Sequence, residues 1–316
     1  MKGIDCMNKF TITTTVVLLC VLGCVLTGCS KKEYIPDADN STTTTEQQLT
    51  NDASEVITNY TKEEIENSEY LYAIGETKPE YVVAKFNEKY NEVIITKNGK
   101  DSDGKISDMM DNNLESSNSP IKLHSDTLVD ACIEKGIINI GKGLFSECKR
   151  LSEVVLPDSV ISIEDNAFAF CSSLRIIKIP NSVISISDKA FKSCTSIKNI
   201  EIPNSVSSIG SETFENCSSL SDLVIGNSVS SIGASAFKDC ASLTSVSIPD
   251  SVTRLEECTF AGCGSLVDIC LPSGIYYIDD TALEGCLELA IIYGAANSPA
   301  EKWAKENGLT FVAITK

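Results

Sequence analysis

Fourteen cysteines and a single histidine, His124, are the residues of this chain most able to do chemistry. Thiolates and imidazoles bind transition metals, and either type paired with a base makes a nucleophile. One imidazole excludes any site that needs two, and the cysteines lack the short paired spacing of a zinc site. No Ser-His-Asp set, HExxH helix, Walker loop or glycine fingerprint occurs. Neighbouring carboxylates such as Asp279-Asp280 and Glu256-Glu257 are ordinary on an acidic surface and make no glycosidase pair. Asp101-Ser102-Asp103-Gly104 fits a calcium loop only in part. With Gly104 in the sixth place, the first and twelfth fall on Gly99 and Met110, which offer no side-chain oxygen. The sequence therefore predicts no enzyme, no cofactor and no metal.

Charge narrows the field further. The 316 residues carry 26 basic and 44 acidic side chains, a net of -18, which argues against nucleic acid as a partner and against adhesion to anionic lipid. With 42% hydrophobic and 22% charged residues, the chain can bury a core.

The spacing of the cysteines explains their number. Cys148, Cys171, Cys194, Cys217, Cys240, Cys263 and Cys286 stand 23 residues apart. Three places before each stand Phe145, Phe168, Phe191, Phe214, Phe237, Phe260 and finally Leu283. Three places after each comes Leu or Ile, and six and eight after come apolar pairs such as Ile177/Ile179 and Ile200/Ile202. Pro157, Pro180, Pro203, Pro249 and Pro272 follow, with Gly226 as the exception, and then a Ser-Val-x-x-Ile segment. A half-unit with Ile137 and Ile140 precedes the first cysteine. Columns in register over this many periods predict a solenoid, mainly β, of 23-residue coils. Each Leu-x-x-Ile-x-Ile supplies one strand of a parallel sheet, and Pro ends it because it has no N–H to donate. Ser-Val-x-x-Ile returns along the other side, and Ala-Phe-x-x-Cys turns the corner, where the phenylalanines stack as a spine.

A unit such as PNSVISISDKAFKSCTSIKNIEI, from Pro180 to Ile202, resembles the BspA-type leucine-rich repeats of bacterial and protist surface proteins. The resemblance implies a curved leucine-rich-repeat coil and an extracellular binding or adhesion surface. It brings no catalytic residue with it.

Both ends differ from the repeats. After Lys9, the apolar run Val16 to Leu26 is too short to span a membrane and reads as the centre of a secretory signal. Leu26-Thr27-Gly28-Cys29, followed by Ser30-Lys31-Lys32, resembles the lipobox of bacterial lipoproteins, which implies lipidation of Cys29 after cleavage. Cys24 fits the same pattern but is followed by apolar residues, and Met7 is an alternative start. The expected organisation is a lipoprotein signal peptide over 1–28, a disordered tether over 29–60 and a small region with a β-hairpin over 61–125. The solenoid follows over 126–289 and a helical cap over 290–316. Thr61-Lys62-Glu63-Glu64 reads as a capping box, and Tyr81 to Phe86 with Glu92 to Thr96 as the hairpin. In the cap, Ser298-Pro299-Ala300-Glu301 opens a helix that Asn307-Gly308 closes, with Trp303 expected to be buried over the open end of the core.

An exported chain meets an oxidising setting, yet parallel side chains in a ladder point the same way, so the cysteine column is read as small buried apolar residues. Cys132, Cys258 and Cys270 lie outside it. The variable positions are the fifth and seventh after each cysteine, which face out of the coil. The fifth-place column is Glu153, Ile176, Asn199, Asp222, Ser245, Asp268 and Ile291, and the seventh-place column is Val155, Lys178, Glu201, Val224, Ser247, Cys270 and Tyr293. Constant inside and variable outside is how a repeat scaffold separates support from recognition. The expected function is a lipid-anchored module on the extracytoplasmic face of a bacterial membrane or cell surface. Its partner would be an extracellular protein or glycan, and the membrane is engaged only through the lipid on Cys29. The alternative is an envelope spacer with no specific ligand.

Overall fold

The computed structural model describes residues 71–73, 82–87, 92–97, 121 and 124–314. The signal run, Cys29, the tether, the Thr61 capping box and the Asp101–Gly104 loop lie outside the described residues.

Short strands repeat at the interval the cysteines announce. On one wall of the coil, β4 (Asp130–Ile133), β6 (Glu153–Val155) and β8 (Ile176–Ile177) pair in parallel. The wall continues through the parallel pair β10 (Asn199–Ile202) and β12 (Asp222–Ile225), then through β14 (Ser245–Ser247), β16 (Asp268–Cys270) and β18 (Ile291–Gly294). Asn199 faces Asp222, and Ser245 faces Asp268, so each residue meets its equivalent one repeat on. The opposite wall is built from two-residue strands: β5 (Asn139–Ile140), β7 (Ser162–Ile163), β9 (Ser185–Ile186), β11 (Ser208–Ile209) and β13 (Ser231–Ile232) form one sheet. The pair β15 (Arg254–Leu255) and β17 (Tyr277–Ile278) extends the series. In these the isoleucine or leucine faces inward, which is why the Val-x-x-Ile spacing recurs.

The corner holds the core. Phe145, Phe168, Phe191, Phe214, Phe237 and Phe260 are fully buried, and successive rings stack nearly parallel with centroids 5.2–5.4 Å apart. That spacing follows the rise of the strands and gives the offset-parallel arrangement aromatic rings favour. Burial of each ring contributes about 1.5–3 kcal/mol. The corner backbone is itself a hydrogen-bonded ladder: Phe168 N–H donates to the Ala190 carbonyl at 2.8 Å and Phe170 N–H to the Lys192 carbonyl at 2.7 Å. Directing alternate N–H groups at the following turn accompanies two residues per corner in the left-handed region. Asn166 and Phe170 have φ of 55° and 63°, Lys189 and Ser193 58° and 59°, Glu212 and Asn216 55° and 58°. Only some of these sites are glycine, such as Gly143, Gly262 and Gly285, so the others hold a conformation that costs L-residues about 1–2 kcal/mol each.

Gly226 breaks the proline column for a steric reason. A Cβ there would stand 2.5 Å from the Pro203 carbonyl oxygen and 2.6 Å from its carbon.

The hairpin is present, as β2 (Val82–Asn87) and β3 (Glu92–Lys97), with β1 (Leu71–Ala73) antiparallel to β2. It is not set apart from the coil. β3 pairs in parallel with β4, Glu92 facing Asp130 and Val93 facing Ala131, so the hairpin continues the strand wall beyond the first repeat. His124 stacks on Phe86 with centroids 4.1 Å apart, which gives the lone imidazole a structural place at this junction.

At the other end, helix α1 (Pro299–Glu306) has Ser298 as its N-cap, accepting from Glu301 N–H, and Asn307 as its C-cap. Glu301 reaches back past the N-cap to accept from Asn297 N–H at 2.6 Å, a variant of the box, in which the Ser298 N–H donates instead to the Ala295 carbonyl. Beyond the helix, β19 (Thr310–Ala313) returns alongside β18 in parallel and closes the strand wall, where only a helical cap is expected from the sequence. Gly294 eases this closure, since a Cβ there would crowd the Phe311 ring at 3.2 Å. Trp303 packs against the core cluster but is only half-buried, so the expectation of a buried tryptophan is corrected. Ala300 and Ala304, fully buried, make the closer contact with the core. No helix among the described residues is long and apolar enough to cross a membrane.

Candidate binding face

The strand wall presents the fifth- and seventh-place columns. Neighbouring rungs of such a sheet lie about 4.7–4.9 Å apart, so each column is a straight row along the stack. Between them Val154, Ile200, Val246 and Ile269 point inward and are buried. Ile176, Asn199 and Asp222 in the fifth-place row are exposed, as are Val155, Lys178, Glu201 and Val224 in the seventh. Glu153, Ser245, Asp268 and Ile291, with Ser247 and Tyr293, are half-buried. Ile176 at 59% exposure, Val224 at 58% and Val155 at 44% give the face an uncovered apolar element among its charges.

Cys270 needs correcting. Register places it in the seventh-place row between Ser247 and Tyr293, but its side chain is only 6% exposed and its sulfur is disulfide-bonded, so it offers no open contact. Cys132, one row-mate at the other end, is likewise buried and disulfide-bonded.

The register adds two residues to this row: Asp130, one 23-residue period before Glu153, and Glu92, which the spacing could not reveal. Glu92 and Asp130 precede Glu153 in the fifth-place row, so three carboxylates stand on successive rungs. Glu92 and Asp130 are 38 residues apart rather than 23, because the hairpin joins the wall out of phase with the repeat. Burial, and then the charge of Asp130, hold the Glu92 carboxyl above its ordinary range. Like charges directly opposite one another destabilise a sheet, and this end of the wall concentrates negative charge. Further along, with the Asn199 amide oriented as its neighbours require, Nδ2 donates to Asp222 Oδ2 at 2.8 Å, and Ser221 Oγ donates to the same oxygen at 2.9 Å. Glu201 and Asp222 thus lie on adjacent turns of a preformed surface.

A denser ionic cluster lies on the corner, away from this face. Lys192 Nζ bridges Glu212 and Glu215 at 2.6 and 2.7 Å, and its hydrogen bond is the main cause that lowers the Glu212 carboxyl below its usual range. It ties successive corners together. No group of His, Cys, Asp and Glu that could hold a metal ion occurs among the described residues.

Residues 124–244 and 230–298 match the BspA type leucine rich repeat region, in six copies. The chain belongs to that family. Its members are non-catalytic repeat proteins, often surface-associated and protein-binding. Among solved structures, the leucine-rich repeat protein of T. pallidum is 27% identical, covering 76% of this chain and 100% of its own, with a TM-score of 0.48. A leucine-rich cell surface protein from Faecalibacterium prausnitzii is 21% identical, covering 79% of this chain and 96% of its own, with a TM-score of 0.37. The pneumococcal vaccine antigen PcpA is 13% identical over 70% of this chain and 81% of its own, with a TM-score of 0.30. None of the curated proteins matches.

Proposed function

We infer that this BspA-type protein is a binding module held outside the cytoplasm by lipid on Cys29, and that it engages a protein partner along the strand wall. The observation that carries the reading is the composition of that wall. Exposed Val155, Ile176 and Val224 alternate along the stack with Glu201, Asp222 and the Glu92–Asp130–Glu153 row, on a backbone fixed by parallel pairing in three successive sheets. Apolar contacts ringed by charge are what a protein-sized partner requires, and the acidic row favours one with a basic surface. The leader supports the anchor: Leu26-Thr27-Gly28-Cys29 ends an apolar run and is followed by a polar stretch. Two acyl signals make membrane attachment stable where one is marginal.

The test is capture from extracellular and envelope extracts by residues 30–316, followed by the same capture with Glu201→Lys/Asp222→Lys. Loss of a captured partner in a variant that melts like the parent supports the strand wall. Retention of that partner moves the site elsewhere, and capture of nothing favours the envelope spacer. For the anchor, Cys29→Ala should accumulate as an unprocessed precursor; a variant that matures and fractionates like the parent removes the lipoprotein reading.

A further inference from the structure

The corner ladder has a direction. Phe214 N–H donates to the Ala236 carbonyl at 2.7 Å, Phe237 N–H to the Thr259 carbonyl at 2.9 Å, and Phe260 N–H to the Ala282 carbonyl at 2.8 Å. The second rung behaves alike, ending with Gly262 N–H on the Glu284 carbonyl at 2.7 Å. All these donors point toward the C-terminal end of the stack. In the last corner the same two columns are occupied by Leu283 and Gly285, and no turn follows. Gly285 keeps the left-handed conformation of Gly262, φ 74° against 72°, so the backbone holds the ladder geometry to its end. Among the described residues, neither the Leu283 N–H nor the Gly285 N–H has an acceptor. A third column is closed locally, where Asp279 Oδ1 accepts from Thr281 N–H at 3.0 Å.

The strand wall at this end is closed by β19 and the core by α1. The corner is left open, and a cavity of about 390 Å³ lies between it and the helix, lined by Asp280, Thr281, Glu284, Trp303 and Asn307 together with Leu283. Its size falls at the lower end of the range for ligand pockets, about 300–1,000 Å³. The chemistry of the lining is mixed in a particular way. The buried Leu283 N–H lines the cavity and lacks an acceptor among the described residues, the exposed Gly285 N–H stands beside it between Glu284 and Cys286, the carboxylates of Asp280 and Glu284 need donors, and the Trp303 indole supplies an apolar wall. An inorganic anion would answer the N–H groups but meet two carboxylates. A bare cation would answer the carboxylates but leave the N–H groups unmet. Hydroxyl groups both donate and accept, and a ring that carries them around an apolar C–H face satisfies all three demands.

The geometry points to a saccharide subsite at this end of the stack, taking one pyranose ring, or two, of a glycan. Trp303 is the wall of the site, Asp280 and Glu284 accept from ring hydroxyls, and the Leu283 and Gly285 N–H groups donate to hydroxyl oxygens. The site is separate from the strand wall and stands or falls independently of it.

Trp303 is the sole tryptophan of the chain, so tryptophan emission, excited selectively over the tyrosines, reports on this cavity. The full chain would be titrated with glucose, galactose and N-acetylglucosamine and their β1,4-linked dimers, and separately with tetramethylammonium and with sulfate. The expected result is a saturable spectral change with at least one saccharide and none with either ion. The change should weaken more than tenfold in Asp280→Ala/Glu284→Ala, whose exposed positions leave the fold intact by circular dichroism. Trp303→Phe, followed by calorimetry, should lose the same saccharide. A response to tetramethylammonium or sulfate alone, no response to any saccharide, or saccharide binding undiminished in the double variant would each overturn the proposal.

Discussion

The thiol of Cys171 donates to the backbone carbonyl of Phe145, one turn back, at 3.0 Å, and that carbonyl also accepts the Cys148 N–H at 3.1 Å. The same bond recurs from Cys194 to Phe168, Cys217 to Phe191, Cys240 to Phe214, Cys263 to Phe237 and Cys286 to Phe260, at 3.1–3.3 Å. The cysteine column therefore does more than fill a small space. It satisfies the second lone pair of a buried carbonyl and links each corner to the last. Cys194→Ala removes both the donor and the sulfur's volume, and is expected to lower stability by about 1–2 kcal/mol in urea unfolding. Cys286→Ala, in the half-buried final corner, should cost less than half as much. Equal losses at both positions would remove the stacking argument.

Burial sets a pH limit on the same column. It pushes the thiols of Cys148 and Cys217 up to about 12 from an ordinary 9.0, and those of Cys171 and Cys194 well above 9.0. Below pH about 9 both folded and unfolded chains keep these protons, so the thiols leave stability unchanged. Above it the unfolded chain releases protons that the folded chain retains, and stability falls by about 1.4 kcal/mol per pH unit for each thiol until the folded group ionises. Urea midpoints should be flat from about pH 7 to 8 and drop steeply between about 9 and 11. The drop should be shallower in Cys217→Ala by one proton's contribution. A parallel decline in the two proteins would contradict it.

Gly226 replaces the column's proline because the Pro203 carbonyl comes too close for any side chain. Gly226→Ala must displace backbone rather than a flexible side chain, and is expected to cost about 1–3 kcal/mol, as overpacking does. Gly264→Ala is the matched control, since a Cβ there meets nothing within 4 Å. Thermal melts that do not separate the two variants would show that the turn relaxes freely.

Inward and outward positions should differ sharply in tolerance. Phe191→Asp inserts an unpaired charge between the rings of Phe168 and Phe214, each stacked on Phe191 at 5.2 Å. Its cost is several kcal/mol, enough to unfold the central coils. Lys178→Gln, on the exposed wall, should shift stability by less than about 0.5 kcal/mol. Asn199→Asp is a poorer control, because it would place a second carboxylate against Asp222 and remove the hydrogen bond that the Asn199 amide donates to it. Circular dichroism melts of Phe191→Asp and Lys178→Gln that coincide would invert the assignment of the columns.

The 23-residue spacing of Cys148 to Cys286, with Phe, Leu and Ile columns in register, was enough to determine a β-solenoid, its two walls, its aromatic spine and the family it belongs to. It succeeds because stacked coils bury equivalent positions against one another, so a constant environment demands a constant residue. Ser298-Pro299 and Asn307-Gly308 marked the helical cap for a similar reason, since helix ends have local hydrogen-bond needs that few residues meet. What the repeat could not specify lies where contacts join segments out of phase. Glu92 meets Asp130 across 38 residues, and Phe311 meets Gly294 through the returning strand. The direction of the corner ladder was equally hidden, because non-glycine residues such as Phe170, Lys189 and Glu212 occupy its left-handed positions. Backbone polarity leaves no mark on side-chain type when packing, rather than local preference, holds φ positive. Only the tertiary structure therefore decided that donors end unmet at Leu283 and Gly285, beside a half-buried Trp303.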